Sequence, residues 1–272
     1  MNQMTEHDRD GVVFRTADAF TEAGGVIHAF STRFGGVSDG IWTSMNLGTT
    51  RGDDPDRVRE NYRRFFEAAG ANLKGVVMSN QVHGPEIRVA TAQDIKKDLY
   101  DPEGYEVDGL MTDVSGLALV IFSADCLPVL LYDPVKKAVC AVHGGWRGTV
   151  AGIAPKGVRQ LGEVYGSRPE DILAVIGPGI SGCHFETHSD VPEAVMRVLP
   201  PEKSRMCIRG YTQNKFHVDL KAVNRFLLME AGVPAANITV DPDCTVCRPD
   251  KYFSHRQTGG ARGSLAAVIQ LG

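Results

Sequence analysis

Residues 117–122, 138–142 and 172–176 are apolar at every position, without the usual polar alternation of a surface strand. Such runs read as β-strands covered on both faces, which requires further layers of structure above and below them. Helical patterns lie between them. Asp53-Asp54-Pro55 predicts the start of a helix running through Ala69, with acids suited to the N-terminal dipole and Gly70 as its stop. Further helices are expected over residues 149–165, 191–199 and 220–231. Shorter strands at 25–30, 76–78, 87–90, 129–132, 238–240 and 265–271 complete an alternation typical of a mixed α/β architecture. Asp133-Pro134-Val135-Lys136-Lys137 reads as a hairpin turn. No repeat, low-complexity tract or break in composition divides the chain. One domain over residues 1–272 is therefore expected, with the polar residues 1–11 as a flexible tail.

Composition narrows the function classes. The 272 residues carry 29 basic and 33 acidic side chains, a formal charge of −4, whereas nucleic-acid binders usually show a basic excess. No apolar run approaches the roughly 20 residues that span a bilayer, and the N-terminus does not resemble a signal peptide. Six cysteines are too few for a disulfide scaffold of this size, so reduced thiols in the cytoplasm are expected. These observations argue against nucleic-acid and membrane partners.

All three double-faced strands run into unusual polar sequences: Ser123-Ala124-Asp125-Cys126, His143-Gly144-Gly145-Trp146-Arg147-Gly148 and Gly177-Pro178-Gly179-Ile180. Strand ends in α/β sheets commonly line ligand crevices, because the sheet fixes where each loop emerges. Cys126, His143 and His83, the last in a short loop after a strand, are zinc-ligand types. One thiolate and two imidazoles would leave the fourth tetrahedral position open, as a catalytic zinc requires. On spacing alone, a small buried thiol and hydrogen-bonded histidines explain the same residues. Cys244-Thr245-Val246-Cys247 has metal or redox spacing, but no second paired motif accompanies it. Cys183-His184 and His188 are poorly arranged partners by sequence, and the motif reads as two reduced thiols in a loop. Arginine supplies 19 of the 29 basic residues. Arg33, Arg147, Arg256 and Arg262 stand in or beside glycine-rich or flexible segments, where a guanidinium suits an anion.

The motifs Ser31-Thr32-Arg33-Phe34-Gly35-Gly36-Val37-Ser38, Met45-Asn46-Leu47-Gly48, Asn80-Gln81-Val82-His83-Gly84, Asp108-Gly109-Leu110, Ala124-Asp125-Cys126-Leu127-Pro128-Val129, His143-Gly144-Gly145-Trp146-Arg147-Gly148, Gly177-Pro178-Gly179-Ile180, Cys244-Thr245 and Phe253-Ser254-His255-Arg256 together resemble the YfiH/laccase-domain family. This is also called the polyphenol oxidoreductase family, and it includes bacterial peptidoglycan-editing factors and a mammalian purine-metabolising enzyme. The resemblance runs in one order over nearly the whole chain.

It implies a single α/β domain of mixed sheets flanked by helices, similar in fold to the cytotoxic-necrotizing-factor deamidases. It also implies zinc at His83, Cys126 and His143, and a purine nucleoside phosphorylase acting on adenosine, inosine and methylthioadenosine with adenosine deaminase activity. Nucleosides and phosphate would be its small-molecule partners, and the chain would be a monomer. Within that expectation Cys126, His143, His83 and Asp125 are the catalytic candidates, with Asp125 orienting a ligand or moving a proton. Asn46, Arg33, Arg147 and Arg256 are the candidates for substrate and phosphate. The alternatives are a cysteine-dependent amide hydrolase editing peptidoglycan precursors, with Cys126 as nucleophile, and a copper-dependent polyphenol oxidase. Eight histidines without one His-x-His exclude a standard laccase cluster, which needs roughly ten, although copper would suit the same three ligands.

Overall fold

The computed structural model describes residues 3–102, 104–212 and 214–272. The three apolar runs fall in the strands Ala118–Ser123, Ala138–Gly144 and Leu173–Ile176. Two six-stranded sheets carry them. The first runs, in spatial order, Met4–Arg9, Val12–Ala17, Val26–Ser31, Leu265–Leu271, Ala118–Ser123 and Val76–Val77. The second runs Ile238–Val240, Leu173–Ile176, Leu127–Asp133, Ala138–Gly144, Gly109–Thr112 and Ile87–Val89. A small antiparallel sheet of Glu186–Thr187, Lys215–Val218 and Ile208–Thr212 stands beside them.

The double-faced character follows from four stacked layers. Side chains one apart on a strand point to opposite faces, and here both faces meet protein. Leu119 and Ile121 join Leu130, Val139, Ala141, Val175 and Ile269 in the cluster between the two sheets. Ala118 and Val120 point the other way, toward Tyr62, Phe65 and Phe66. Those aromatics come from the helix Pro55–Ala69, which is capped by the Asp54 side chain and ended by Gly70 at φ 73°. On the far side, Leu131, Cys140 and Val142 pack with Val158, Leu161, Val223 and Leu228 of the helices Ile153–Tyr165 and Leu220–Glu230. Each fully buried aromatic or aliphatic side chain contributes about 1.5–3 kcal/mol of transfer free energy.

One expectation changes, and one stretch left unassigned gains structure. The tail expected over residues 1–11 is, from Met4 to Arg9, an edge strand paired antiparallel with Val12–Ala17. Its polar sequence suits an edge position, where only Met4 and His7 are partly buried. The stretch 201–218, which carries no strong periodic signal, forms the helix Pro201–Cys207 and two strands of the small sheet.

The feature that positions the site is a crossing between sheets. Strand Ala118–Ser123 of the first sheet passes through Ala124-Asp125-Cys126 directly into Leu127–Asp133 of the second. Asp125 adopts φ 89°, a conformation that costs energy for any residue but glycine. Its carboxylate is held from both sides, by the Thr245 hydroxyl at 2.6 Å and the Arg256 backbone N–H at 2.6 Å.

Candidate functional site

The crossing delivers Cys126 to the end of the second sheet. Leu127 pairs with Gly144 and Pro128 with His143, so the residue before Leu127 lies against the turn after His143. On the other side of the same strand Gly109 pairs with Val142, which brings Asp108 beside His143. The third group, His83, sits in the loop between Val76–Val77 and Ile87–Val89 at φ 63°. The loop is tied to Asp108, whose carboxylate accepts the backbone N–H groups of Val82 at 2.9 Å, His83 at 2.9 Å and Gly84 at 2.8 Å. The ligand atoms of His83, Cys126 and His143 all lie within 4.8 Å of one another. The two imidazole rings meet edge to face with centroids 4.8 Å apart.

Asp108 organises this triad. It is fully buried, and Oδ1 lies 2.8 Å from His143 Nδ1. Burial pushes its carboxyl up, but the hydrogen bonds from His143 and the loop N–H groups outweigh it and hold it below the ordinary carboxylate range. An ionised acceptor there holds a proton on Nδ1, which leaves Nε2 as the nitrogen that faces Cys126 and that a metal would take. Burial likewise raises the Cys126 thiol, yet charge and hydrogen bonding from His143 and His83 outweigh it and hold it below its usual value. For His143, burial acts downward, while Cys126 and Asp108 carry it above the ordinary imidazole range. Both shifts run toward a thiolate beside an imidazolium when no metal is bound.

The donors present fit a zinc ion. One soft thiolate and two imidazoles match a three-ligand catalytic site, and the carboxylate behind His143 is the usual orienting partner of a metal-bound histidine. Gly145 leaves the necessary space. A Cβ built there would come within 3.0 Å of His83 Cδ2, 3.3 Å of Cys126 Sγ and 3.6 Å of His143 Cε1.

An open cavity of about 200 Å³ adjoins the triad, lined also by Arg51, Ser79, Gln81, Phe122, Arg262 and Ser264. Gln81 clamps the neighbouring strand, donating to the Phe122 carbonyl at 2.9 Å and accepting its N–H at 2.7 Å. Two guanidiniums converge on one hydroxyl: Arg51 Nε and Arg262 Nη1 each lie 3.2 Å from Ser264 Oγ. Burial, and then the neighbouring Arg51, pull Arg262 down to about 10. Among the described residues, Arg262 Nε and Ser79 Oγ are buried without a hydrogen-bond partner. Both residues also line the cavity.

The remaining residues singled out from sequence lie elsewhere. Asp125 does not line the cavity; its two bonds make it a brace for the Cys126 turn. Asn46 is fully buried and holds the cavity wall from behind, accepting the N–H groups of Gly48 at 3.0 Å and Ser264 at 2.9 Å. Arg33 donates to the carbonyls of Thr43 and Pro249 and stacks on Phe253. Arg147 is exposed over the Trp146 ring, and Arg256 donates to the His184 carbonyl at 3.1 Å. None of these three arginines borders the cavity. Arg262 stood out by its glycine-rich context, but Arg51 and the organising role of Asp108 carried no local signal. Their contacts span 213 and 35 positions in the chain.

A purine nucleoside phosphorylase, YlmD, of Geobacillus stearothermophilus is 36% identical over 247 residues, covering 90% of each chain. An adenosine deaminase from an unknown prokaryotic organism is 35% identical over 239 residues, covering 86% of this chain and 89% of that one. The crystal structure of YlmD from Geobacillus stearothermophilus superposes with a TM-score of 0.92 at 34% identity, over 100% of this chain and 99% of that one. The family model described as multi-copper polyphenol oxidoreductase laccase matches residues 27–272, and the chain belongs to that family.

Proposed function

We propose that the protein is a zinc-dependent purine nucleoside phosphorylase, acting on adenosine, inosine and methylthioadenosine, that also deaminates adenosine in the same cavity. Phosphorolysis transfers the ribose C1′ from a purine nitrogen to a phosphate oxygen. It therefore needs an anion site, a place for the sugar and base, and relief of the charge that builds on the departing purine. The observation that carries this reading is one cavity bordered by the His83–Cys126–His143 triad and by the Arg51–Arg262 pair. The Arg51 and Arg262 guanidiniums bind and orient phosphate. Ser79 lines the same wall, and Asp108 holds a proton on His143 Nδ1, so that Nε2 is the nitrogen a metal would take. A zinc ion held by His83, Cys126 and His143 would supply Lewis acidity at neutral pH. The phosphorylase and deaminase relatives support both halves of the proposal. The free thiols fit a cytoplasmic setting. With zinc-loaded protein, inosine should yield hypoxanthine only when phosphate is added. Equal release without phosphate would replace phosphorolysis by hydrolysis.

The lowered Cys126 thiol beside the raised His143 imidazole favours a second reading, in which Cys126 is a nucleophile for amide hydrolysis. Metal analysis separates the two. Zinc held by His83, Cys126 and His143 in the native protein, with one equivalent lost in Cys126→Ser, supports the phosphorylase. No zinc at that triad, with stoichiometric alkylation of Cys126 abolishing turnover, supports the hydrolase.

A further inference from the structure

Parallel pairing of Leu173–Ile176 with Ile238–Val240 sends two loops out from the same end of the second sheet. One carries Cys183 and His184, the other Cys244 and Cys247. An isolated bridge between Gly179 and Cys244 continues the pairing into the loops. Each loop is turned by its own backbone bonds, His184 N–H to the Ser181 carbonyl at 3.0 Å and Arg248 N–H to the Cys244 carbonyl at 3.1 Å. The result brings together four side chains that the sequence left 60 positions apart. Cys183 Sγ and Cys247 Sγ are 3.6 Å apart, and His184 Nδ1 lies 3.2 Å from Cys183 Sγ, 3.3 Å from Cys247 Sγ and 3.8 Å from Cys244 Sγ. All four ligand atoms lie within 4.8 Å of one another.

We propose that Cys183, His184, Cys244 and Cys247 form a second, structural zinc site, separate from the His83–Cys126–His143 triad. A tetrahedral zinc with bonds of about 2.3 Å to sulfur and about 2.0–2.1 Å to nitrogen needs S···S edges of about 3.8 Å and S···N edges of about 3.5 Å. The distances here scatter around those values. A disulfide between Cys183 and Cys247 would instead need about 2.05 Å, and both are free thiols. Cys244 Sγ also accepts the Ser181 backbone N–H at 3.4 Å, the kind of outer contact that orients a ligating thiolate. Four protein ligands leave no open position, which makes the site structural. Binding displaces the thiol protons into solvent.

The site also braces the first one. Thr245, between the two loop cysteines, donates to Asp125, and Arg256 reaches both Asp125 and the His184 carbonyl. Zinc closing the two loops would fix the residues that hold Asp125 in its left-handed conformation beside Cys126. This inference does not rest on the nucleoside reading. The test compares native protein, Cys126→Ser and Cys247→Ala, each purified under reductant with zinc chloride, by metal analysis and zinc X-ray absorption. Native protein should hold two zinc ions per chain and each variant one. The zinc kept by Cys126→Ser should show three sulfur neighbours and one nitrogen. Should Cys247→Ala fail to fold, Cys126→Ser alone decides. No zinc in that variant, or a Cys183–Cys247 disulfide in native protein handled under reductant, overturns the proposal. So does an undiminished two zinc ions in folded Cys247→Ala.

Discussion

Replacing Asp108 by asparagine removes one charge and one acceptor at the point where four donors converge. Oδ1 serves His143 Nδ1 and the His83 N–H, while Oδ2 serves the N–H groups of Val82 and Gly84. Asparagine keeps one oxygen, so in either orientation two donors face its NH₂ group instead of an acceptor. Each buried donor left unsatisfied costs about 1–3 kcal/mol, which predicts a stability loss of about 2–6 kcal/mol. With the oxygen turned toward Val82 and Gly84, His143 loses the partner that keeps its proton on Nδ1, and Nε2 no longer presents a lone pair. With the oxygen turned toward His143, the His83 loop loses two of its three anchors. Both outcomes disturb a ligand, so zinc affinity should fall about 10–100-fold, the usual effect of removing an orienting carboxylate. Competition against a chromophoric chelator measures the affinity, and thermal unfolding with circular dichroism measures stability. A folded Asp108→Asn protein with native zinc affinity and turnover would refute this role for Asp108.

Other perturbations isolate single contacts. Gly145→Ala keeps a backbone conformation open to alanine (φ −63°) but pushes a methyl group to 3.0 Å from the His83 ring; zinc affinity should drop at least tenfold with thermal stability little changed, as metal titration and calorimetry would show. Arg262→Gln removes the buried guanidinium facing the cavity and should raise the KM for phosphate at least tenfold while leaving zinc content at its native value, read from initial rates and metal analysis. His28 is buried and accepts the Ala17 N–H at 2.7 Å. Burial holds it down to about 4 from an unperturbed 6.5. The folded state therefore binds fewer protons than the unfolded chain between those values, so the contribution is complete above about pH 6.5 and lost as pH falls toward 4. The loss amounts to about 3 kcal/mol. Denaturant unfolding of His28→Gln, which keeps an acceptor, should show a flatter decline over that window than the native protein.

Local chemistry explains what was legible in the sequence. The helix Pro55–Ala69 was readable because Asp54, Pro55 and Gly70 act within a few residues of themselves. The double-faced strands declared that layers covered them, but not which helices did so. Strand Val12–Ala17 was obscured by Arg15, whose burial is tolerable only because Asp241 and Asp243 pair with it at 2.8 and 2.9 Å from across the fold. Lys215–Val218 lacks an apolar run because most of it lies half-exposed in the small side sheet. His83, Cys126 and His143 stood out by residue type at the ends of buried strands and by family resemblance. Asp108 and Arg51 act through contacts that only the sheet register creates. The same holds for Cys183, His184, Cys244 and Cys247, which parallel strands bring together and local spacing does not.

The most direct test of the proposed chemistry is phosphorus NMR of zinc-loaded protein incubated with inosine and phosphate. Native protein should convert inorganic phosphate to ribose 1-phosphate in step with hypoxanthine release, and Cys126→Ser and Arg262→Gln should each suppress that conversion. Hypoxanthine or free ribose accumulating with the phosphate signal unchanged would contradict it, as would undiminished ribose 1-phosphate formation by Cys126→Ser.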